Sequence, residues 1–259
     1  MRNEPRLELC ERIAQLDHLE DELLDRPADS ALRQAIADIE ALNQALYQSI
    51  REAILRGEGR DAMRPWLELS DDASPAYDDR DALISGVLQL PEPHGEIAAL
   101  EKDMVFYQPT PARRIFDLLE LCQLRKDDLL IDLGAGLGHV SLLTAICTPA
   151  YSIGVERELA YVQSAAKAAT ALGLERANFA CQDLREADFG DGTVFYLYTP
   201  VTGALLEQVL TKLEYEASQR PIKVASLGPC TAMLAQANWL RAMNRAEEHR
   251  IALFHSALR

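Results

Sequence analysis

The feature that most constrains this chain is an alternation of short apolar runs with helical stretches from residue 112 onward. The pattern predicts helices over 112–122, 139–147, 158–172, 203–215 and 231–246. It predicts strands over 129–133, 151–155, 177–181, 193–198, 222–227 and 250–255. Strands this short and this apolar are buried on both faces. The region therefore reads as α/β, a doubly wound, mostly parallel sheet covered by helices. Ligands of such sheets sit beyond the carboxyl ends of the strands. Chemistry is expected after residues 132, 155, 182, 198 and 227.

The first hundred residues follow a different grammar. Leu7, Ile13, Leu16, Leu19, Leu23 and Leu24 form one apolar stripe, and Leu32, Ile36, Ile39, Leu42, Leu46, Ile50 and Ile54 a second. Steps of three and four place each stripe on one helical face. Asp29 or Ser30 fits an N-cap after the break at 25–30, and Gly57 fits a terminator. The reading is an α-helical N-terminal domain over 1–104 that covers the site or selects substrate, followed by an α/β domain over 105–259. The stripes pack within the chain or pair two copies as a homodimer. Between 57 and 93 the pattern loosens: 71–75 and 91–95 read as loops, and 82–88 as a short helix or strand.

At 259 residues and 48% hydrophobic, the chain can bury a full core and a smaller second unit. It has no apolar run of membrane-spanning length, and Met1-Arg2-Asn3-Glu4-Pro5 lacks the apolar stretch of a signal peptide. Cys10, Cys122, Cys147, Cys181 and Cys230 are odd in number and fit neither a disulfide framework nor a zinc site. The five histidines show no metal-ligand spacing. These points favour a reducing, cytoplasmic setting without a metal. The net charge of −15 is uneven: residues 1–107 carry 24 Asp/Glu against 11 Lys/Arg, and residues 108–259 carry 17 against 15. A nucleic-acid surface would be basic, so the balance argues against a nucleic-acid partner. It leaves a solvated acidic surface, or a docking surface for a basic protein or cationic substrate.

The first strand ends in Asp132-Leu133-Gly134-Ala135-Gly136-Leu137-Gly138. Glycines at alternate positions let the backbone turn sharply and approach a ligand closely. A dinucleotide loop, G-x-G-x-x-G, would place its third glycine at 139, where this chain has His139. The acid-x-G-x-G-x-G pattern instead resembles the first motif of the class I, Rossmann-like S-adenosylmethionine (SAM)-dependent methyltransferases. The resemblance covers roughly residues 105–259. SAM carries an ammonium and a sulfonium, which favour a carboxylate such as Asp132, and it has no phosphates.

The resemblance implies further roles. Glu156, ending Ile153-Gly154-Val155-Glu156, would accept from the ribose hydroxyls, a bidentate task suited to a carboxylate. Asp183, in Cys181-Gln182-Asp183-Leu184, would read the adenine amino group, with the backbone at Leu184 beside the ring. The segment Phe106-Tyr107-Gln108-Pro109-Thr110-Pro111 is fixed as extended chain by its prolines. It is similar to the entry segment of some protein-lysine methyltransferases, which makes Tyr107, Gln108 and Thr110 cofactor-lid candidates. Tyr198-Thr199-Pro200-Val201 stands where relatives that methylate nucleobases or glutamine carry Asn/Asp-Pro-Pro-Tyr, a departure that counts against those acceptors. Tyr198 and Thr199 are the candidate catalytic residues. Cys230 reads as a reactive thiol or a buried, inert one. The family's sheet ends in two further strands. Only four residues follow 250–255, so the sheet is expected to stop one strand short or borrow one. The acceptor is a protein side chain or a small metabolite. A SAM-binding scaffold without turnover remains an alternative, and a nucleotide-dependent oxidoreductase is disfavoured by His139.

Overall fold

Asp29 closes the first break in the chain: its carboxylate accepts hydrogen bonds from the amides of Ala31 and Leu32. This cap separates α1 (Glu4–Asp25) from α2 (Ser30–Leu55) in the computed structural model, which describes residues 4–67, 77–94 and 101–257. Gly57, with φ +80°, turns the chain after α2. It leads into α3 (Gly59–Met63), a 3₁₀ turn at Arg64–Trp66, and α4 (Asp79–Leu88). The helix-or-strand choice over 82–88 thus resolves as helix. Asp78 caps α4, and Asp81 returns a bond to the Asp78 amide. The loop expected over 71–75 and residue Gly95 lie outside the described residues.

The two stripes need correcting. In α1 the fully buried leucine is Leu9, and Leu7 and Leu24 stay exposed. Leu7 and Leu9 stand about 200° apart around a helix, so burying one turns the other outward. In α2 the buried line runs through Ile39, Asn43, Tyr47, Ile50 and Ile54, leaving Leu42 exposed.

The α/β region runs α5 (Ala112–Cys122), β1 (Leu129–Leu133), α6 (His139–Cys147), β2 (Tyr151–Glu156), α7 (Leu159–Ala171), β3 (Ala177–Cys181) and β4 (Val194–Tyr198). It continues α8 (Gly203–Gln219), β5 (Lys223–Leu227), α9 (Cys230–Gln236), β6 (Leu240–Ala242) and β7 (Ala252–Ser256). The sheet order is β3-β2-β1-β4-β5-β7-β6. The first five strands are parallel; β7 is antiparallel to β5, and β6 to β7. The order reverses between β1 and β4, which makes the carboxyl end of β1 the switch point where ligands of such sheets bind.

Two expectations fail together at the C-terminal edge. The helix expected over 231–246 stops at Gln236, because Ala237 is extended (φ −70°, ψ 118°). Trp239 and Leu240 are then buried, and β6 pairs with β7. The sheet is therefore not one strand short: its seventh strand lies inside the run that reads as helix. Pairing satisfies the backbone of β7 and buries an apolar pair that a surface helix would expose.

Helices cover both faces of the sheet. On one face Leu130 and Tyr196 share a core with Ile115 and Leu142, and this core continues into Tyr47, Ile50, Leu83 and Val87 of the N-terminal helices. On the other, Ile131, Phe195, Val209 and Phe254 pack together. Among the described residues no helix is long and apolar enough to cross a membrane.

Gly86 marks how closely α4 meets α2. A Cβ there would stand 2.1 Å from the Tyr47 ring. Ala normally stabilises a helix by about 1 kcal/mol over Gly. Here Gly86→Ala should instead destabilise by about 1–3 kcal/mol, because the ring has to shift within a packed core. Urea unfolding monitored by circular dichroism reads the sign.

Candidate cofactor site

All three loop glycines adopt positive φ: Gly134 at +86°, Gly136 at +52° and Gly138 at +78°. Each would strain an L-residue, which is the physical content of the alternate spacing. The loop is tied to β2, with the amides of Gly134 and Ala135 both donating to the Val155 carbonyl, at 2.9 and 3.0 Å. Glu156 completes the tie. One carboxylate oxygen accepts from the Gly136 amide at 2.8 Å, the other from the Glu158 amide at 2.9 Å. Each oxygen keeps acceptor capacity for a ligand hydroxyl.

Asp132 ends the central strand level with Gly154 of β2 and Tyr196 of β4. It is 3% exposed, lines the cavity, and has no hydrogen-bond or ion-pair partner among the described residues. Burial, and next the nearby Glu156 charge, push its carboxyl up to about 8. A dry carboxylate without a partner is costly until a cation meets it. It therefore suits the positive groups of SAM.

The cavity encloses about 220 Å³ and is lined by ten of the twelve residues named from the sequence. These are Asp132, Gly134, Glu156, Asp183 and Leu184 on one side, and Tyr107, Gln108, Thr110, Tyr198 and Thr199 on the other. Gly136 and Gly138 do not line it. A Cβ on Gly136 would fall 1.9 Å from the Tyr107 ring, and one on Gly138 would fall 2.5 Å from Phe179. The second glycine thus seats the roof, and the third lets α6 start against β3.

That roof is a strap over 101–111. The Thr202 amide donates to the Asp103 carbonyl at 2.7 Å and the Val105 amide to the Pro200 carbonyl at 3.3 Å, around a Met104–Val201 bridge. Glu101 pairs with Arg157 at 3.1 Å and with Arg185 at 3.3 Å. Tyr107 packs on Tyr161 with ring centroids 5.2 Å apart, and its hydroxyl lies 3.4 Å from His139 Nδ1. Thr110 is buried with its hydroxyl 3.1 Å from that of Tyr196.

Asp183 is engaged by Arg185, whose guanidinium lies 2.6 and 2.9 Å from its two oxygens. The same contact holds the Asp183 carboxyl below its usual range. Thr199 has φ +40°, unusual for a β-branched residue. Its hydroxyl donates to the Leu227 carbonyl at 3.1 Å and accepts from the Cys230 amide at 3.2 Å. It knots β4 to β5, and Tyr198 beside it faces the cavity half-buried. Cys230 is buried, which raises its thiol and makes it the inert kind.

His139, Arg157, Tyr161 and Met104 also line the cavity and were not among the site candidates read from the sequence. Burial pushes His139 down to about 4, so it is neutral at pH 7. A helix-start position next to the third glycine was its one available signal. Among the described residues no group of three metal-ligating side chains comes together.

Residues 105–189, a third of the chain, match the family model described as "Histone methylation protein DOT1". No curated protein matches the chain by sequence. Solved structures similar to it include an RNA methyltransferase from Salinibacter ruber in complex with S-adenosyl-L-homocysteine (24% identity, 57% of this chain and 92% of that one, TM-score 0.43). A second is a magnesium protoporphyrin IX methyltransferase from Synechocystis PCC 6803 with bound SAM (18% identity, 55% and 76%, TM-score 0.40). A third is a tRNA (uracil-54, C5)-methyltransferase from Pyrococcus abyssi (15% identity, 58% and 39%, TM-score 0.41).

Asp132 gives a signed test. The folded chain keeps its proton between about pH 4 and pH 8, where the unfolded chain has lost it. That contribution to stability is full below pH 4 and is lost as pH rises through 8. Asp132→Asn should therefore raise the melting temperature of the ligand-free protein at pH 8.5 by on the order of 5 °C, while SAM binding measured by calorimetry falls by about a hundredfold or more.

Proposed function

We propose, for a chain that is a class I SAM-dependent methyltransferase, that the acceptor is an amine on the side chain of a basic protein. One observation carries the reading. The charged lining of the cavity is the carboxylates of Glu156, Glu158 and Asp183, the last engaged by Arg185, against Arg157, which Glu101 pairs; Asp132 adds a carboxyl that ionises when a cation meets it. An anionic acceptor would meet repulsion there, and a cationic one attraction. Two aromatics suit the same guest: Tyr198 faces the cavity, and Phe106 is 79% exposed at its edge. Rings of this kind hold an aliphatic stem and its ammonium. The acidic N-terminal half extends the attraction outward. The family name attached to residues 105–189 also concerns methylation of a basic protein.

SAM supplies the methyl group; the chain's residues hold and orient the partners and exclude water. In this reading Asp132 and Glu156 hold the cofactor, and Tyr107, Gln108 and Thr110 cover it. Tyr198 turns its hydroxyl to the acceptor. Burial raises its pKa, so at neutral pH it serves as a hydrogen-bonding wall and not as a base. Thr199 fixes the turn that presents it. A second reading, a SAM-binding scaffold without turnover, draws on the engagement of the Thr199 hydroxyl by backbone groups.

Methyl-labelled SAM offered with core histones, RNA and the small-molecule fraction of a lysate separates these readings. Label is expected in the histones, and Tyr198→Phe should lower its rate about tenfold with SAM affinity unchanged. Label confined to RNA or small molecules would sink the protein-acceptor reading, and SAM binding without transfer to any fraction would favour the scaffold. Gly136→Val should fold, since the atoms its side chain meets belong to the Tyr107 ring of the strap and not to the sheet. It should lose SAM binding by about a hundredfold because its side chain displaces the Tyr107 roof.

A further inference from the structure

Lys212, on α8, belongs to no part of the site described so far. Its ammonium donates to three consecutive-turn carbonyls, those of Leu184 at 3.3 Å, Arg185 at 3.3 Å and Ala187 at 2.5 Å. It also lies 4.6 Å from the centre of the Phe189 ring. The amides of the same turn point the other way. Those of Glu186 and Ala187 donate to the Asp183 carbonyl, and that of Arg185 donates to the Asp183 carboxylate at 2.8 Å. The turn after β3 is therefore strung between two charges, with its amides on Asp183 and its carbonyls on Lys212. A carbonyl beside buried Leu184 and Ala187 is costly to leave without a partner. One ammonium meets both of these carbonyls and the exposed one of Arg185, and so fixes where Asp183 and Leu184 stand on the cavity wall.

We propose that Lys212 is a positioning residue for recognition of the purine: it sets the turn that presents Asp183 and Leu184 to the adenine and so determines the preference for a 6-amino base. The proposal rests on the reading of Asp183 and Leu184 as the adenine site. Lys212 itself touches no ligand. Its effect passes through the turn. Losing the ammonium should loosen the purine end of the cavity while leaving in place Asp132, two strands away on β1, and Glu156, whose carboxylate is held by the Gly136 and Glu158 amides.

Calorimetry with S-adenosylhomocysteine and with S-inosylhomocysteine, which carries an oxo group in place of the 6-amino group, tests this. The unaltered protein is expected to prefer the amino form by about tenfold or more. In Lys212→Met that preference should collapse to within about threefold, while affinity for the oxo form changes little. A merely structural lysine would lower the melting temperature without moving the ratio. Lys212→Arg keeps the charge and the donors and should retain the preference, which also covers the case in which Lys212→Met does not fold. A folded Lys212→Met with an unchanged ratio overturns the proposal, as does a folded Lys212→Arg that loses it. Failure of the unaltered protein to bind either compound, or to tell them apart, would instead overturn the adenine reading beneath it.

Discussion

Burying a carboxylate at the end of a central strand, with parallel neighbours on both sides and no donor to meet it, works against folding. Asp132 is in that position, beside Gly154 and Tyr196. The surrounding structure tolerates it because seven strands and their two covering layers hold the strand end in place whatever its charge. The arrangement exchanges stability for a ready-made cation site. The nearby Glu156 sharpens the effect, since its charge adds to the cost of ionising Asp132. It also serves the loop directly by accepting from the Gly136 amide.

Around this charge the cavity is assembled from pieces far apart in sequence. The glycine loop forms its floor, the strap from 101 to 111 its roof, and the turns after β3 and β4 its ends. Ion pairs join the pieces at the rim: Glu101 of the strap reaches Arg157 beyond β2 and Arg185 beyond β3. Opposite, two backbone hydrogen bonds lace residues 103–105 to 200–202. The rim pairs are partly exposed, and salt weakens contacts of that kind. The backbone lacing is indifferent to it. The roof is therefore held by two fastenings of unlike chemistry.

What the sequence showed and what it hid follow the same divide. The loop was legible because positive φ is a local demand that glycine answers locally, and Glu156 and Asp183 were legible because a strand end is visible as the end of an apolar run. The capping of α2 by Asp29 was local too. The strap was legible as a segment and, through the resemblance, as a lid candidate; its seat on Pro200 and Val201 was not, since that is a pairing across about a hundred residues. Strand β6 was hidden because Ala, Gln, Leu and Met around it favour helix, and only the open edge of β7 explains the outcome. His139 and Arg157 carry no pattern of their own. Their place in the cavity comes from the register of neighbouring strands. Thr199 was a candidate by its place after β4, and the structure commits its hydroxyl to the backbone.

The strap is also joined to the helices at the start of the chain. Asp81 of α4 accepts from the Ala112 amide just beyond the strap, and the Tyr77 hydroxyl donates to the Pro109 carbonyl within it. Arg6 of α1 grips Asp79 in turn. These contacts make the acidic helices a handle on the cavity. The roof of the cavity and the acidic helices therefore share one set of bonds, and neither region is bounded without the other.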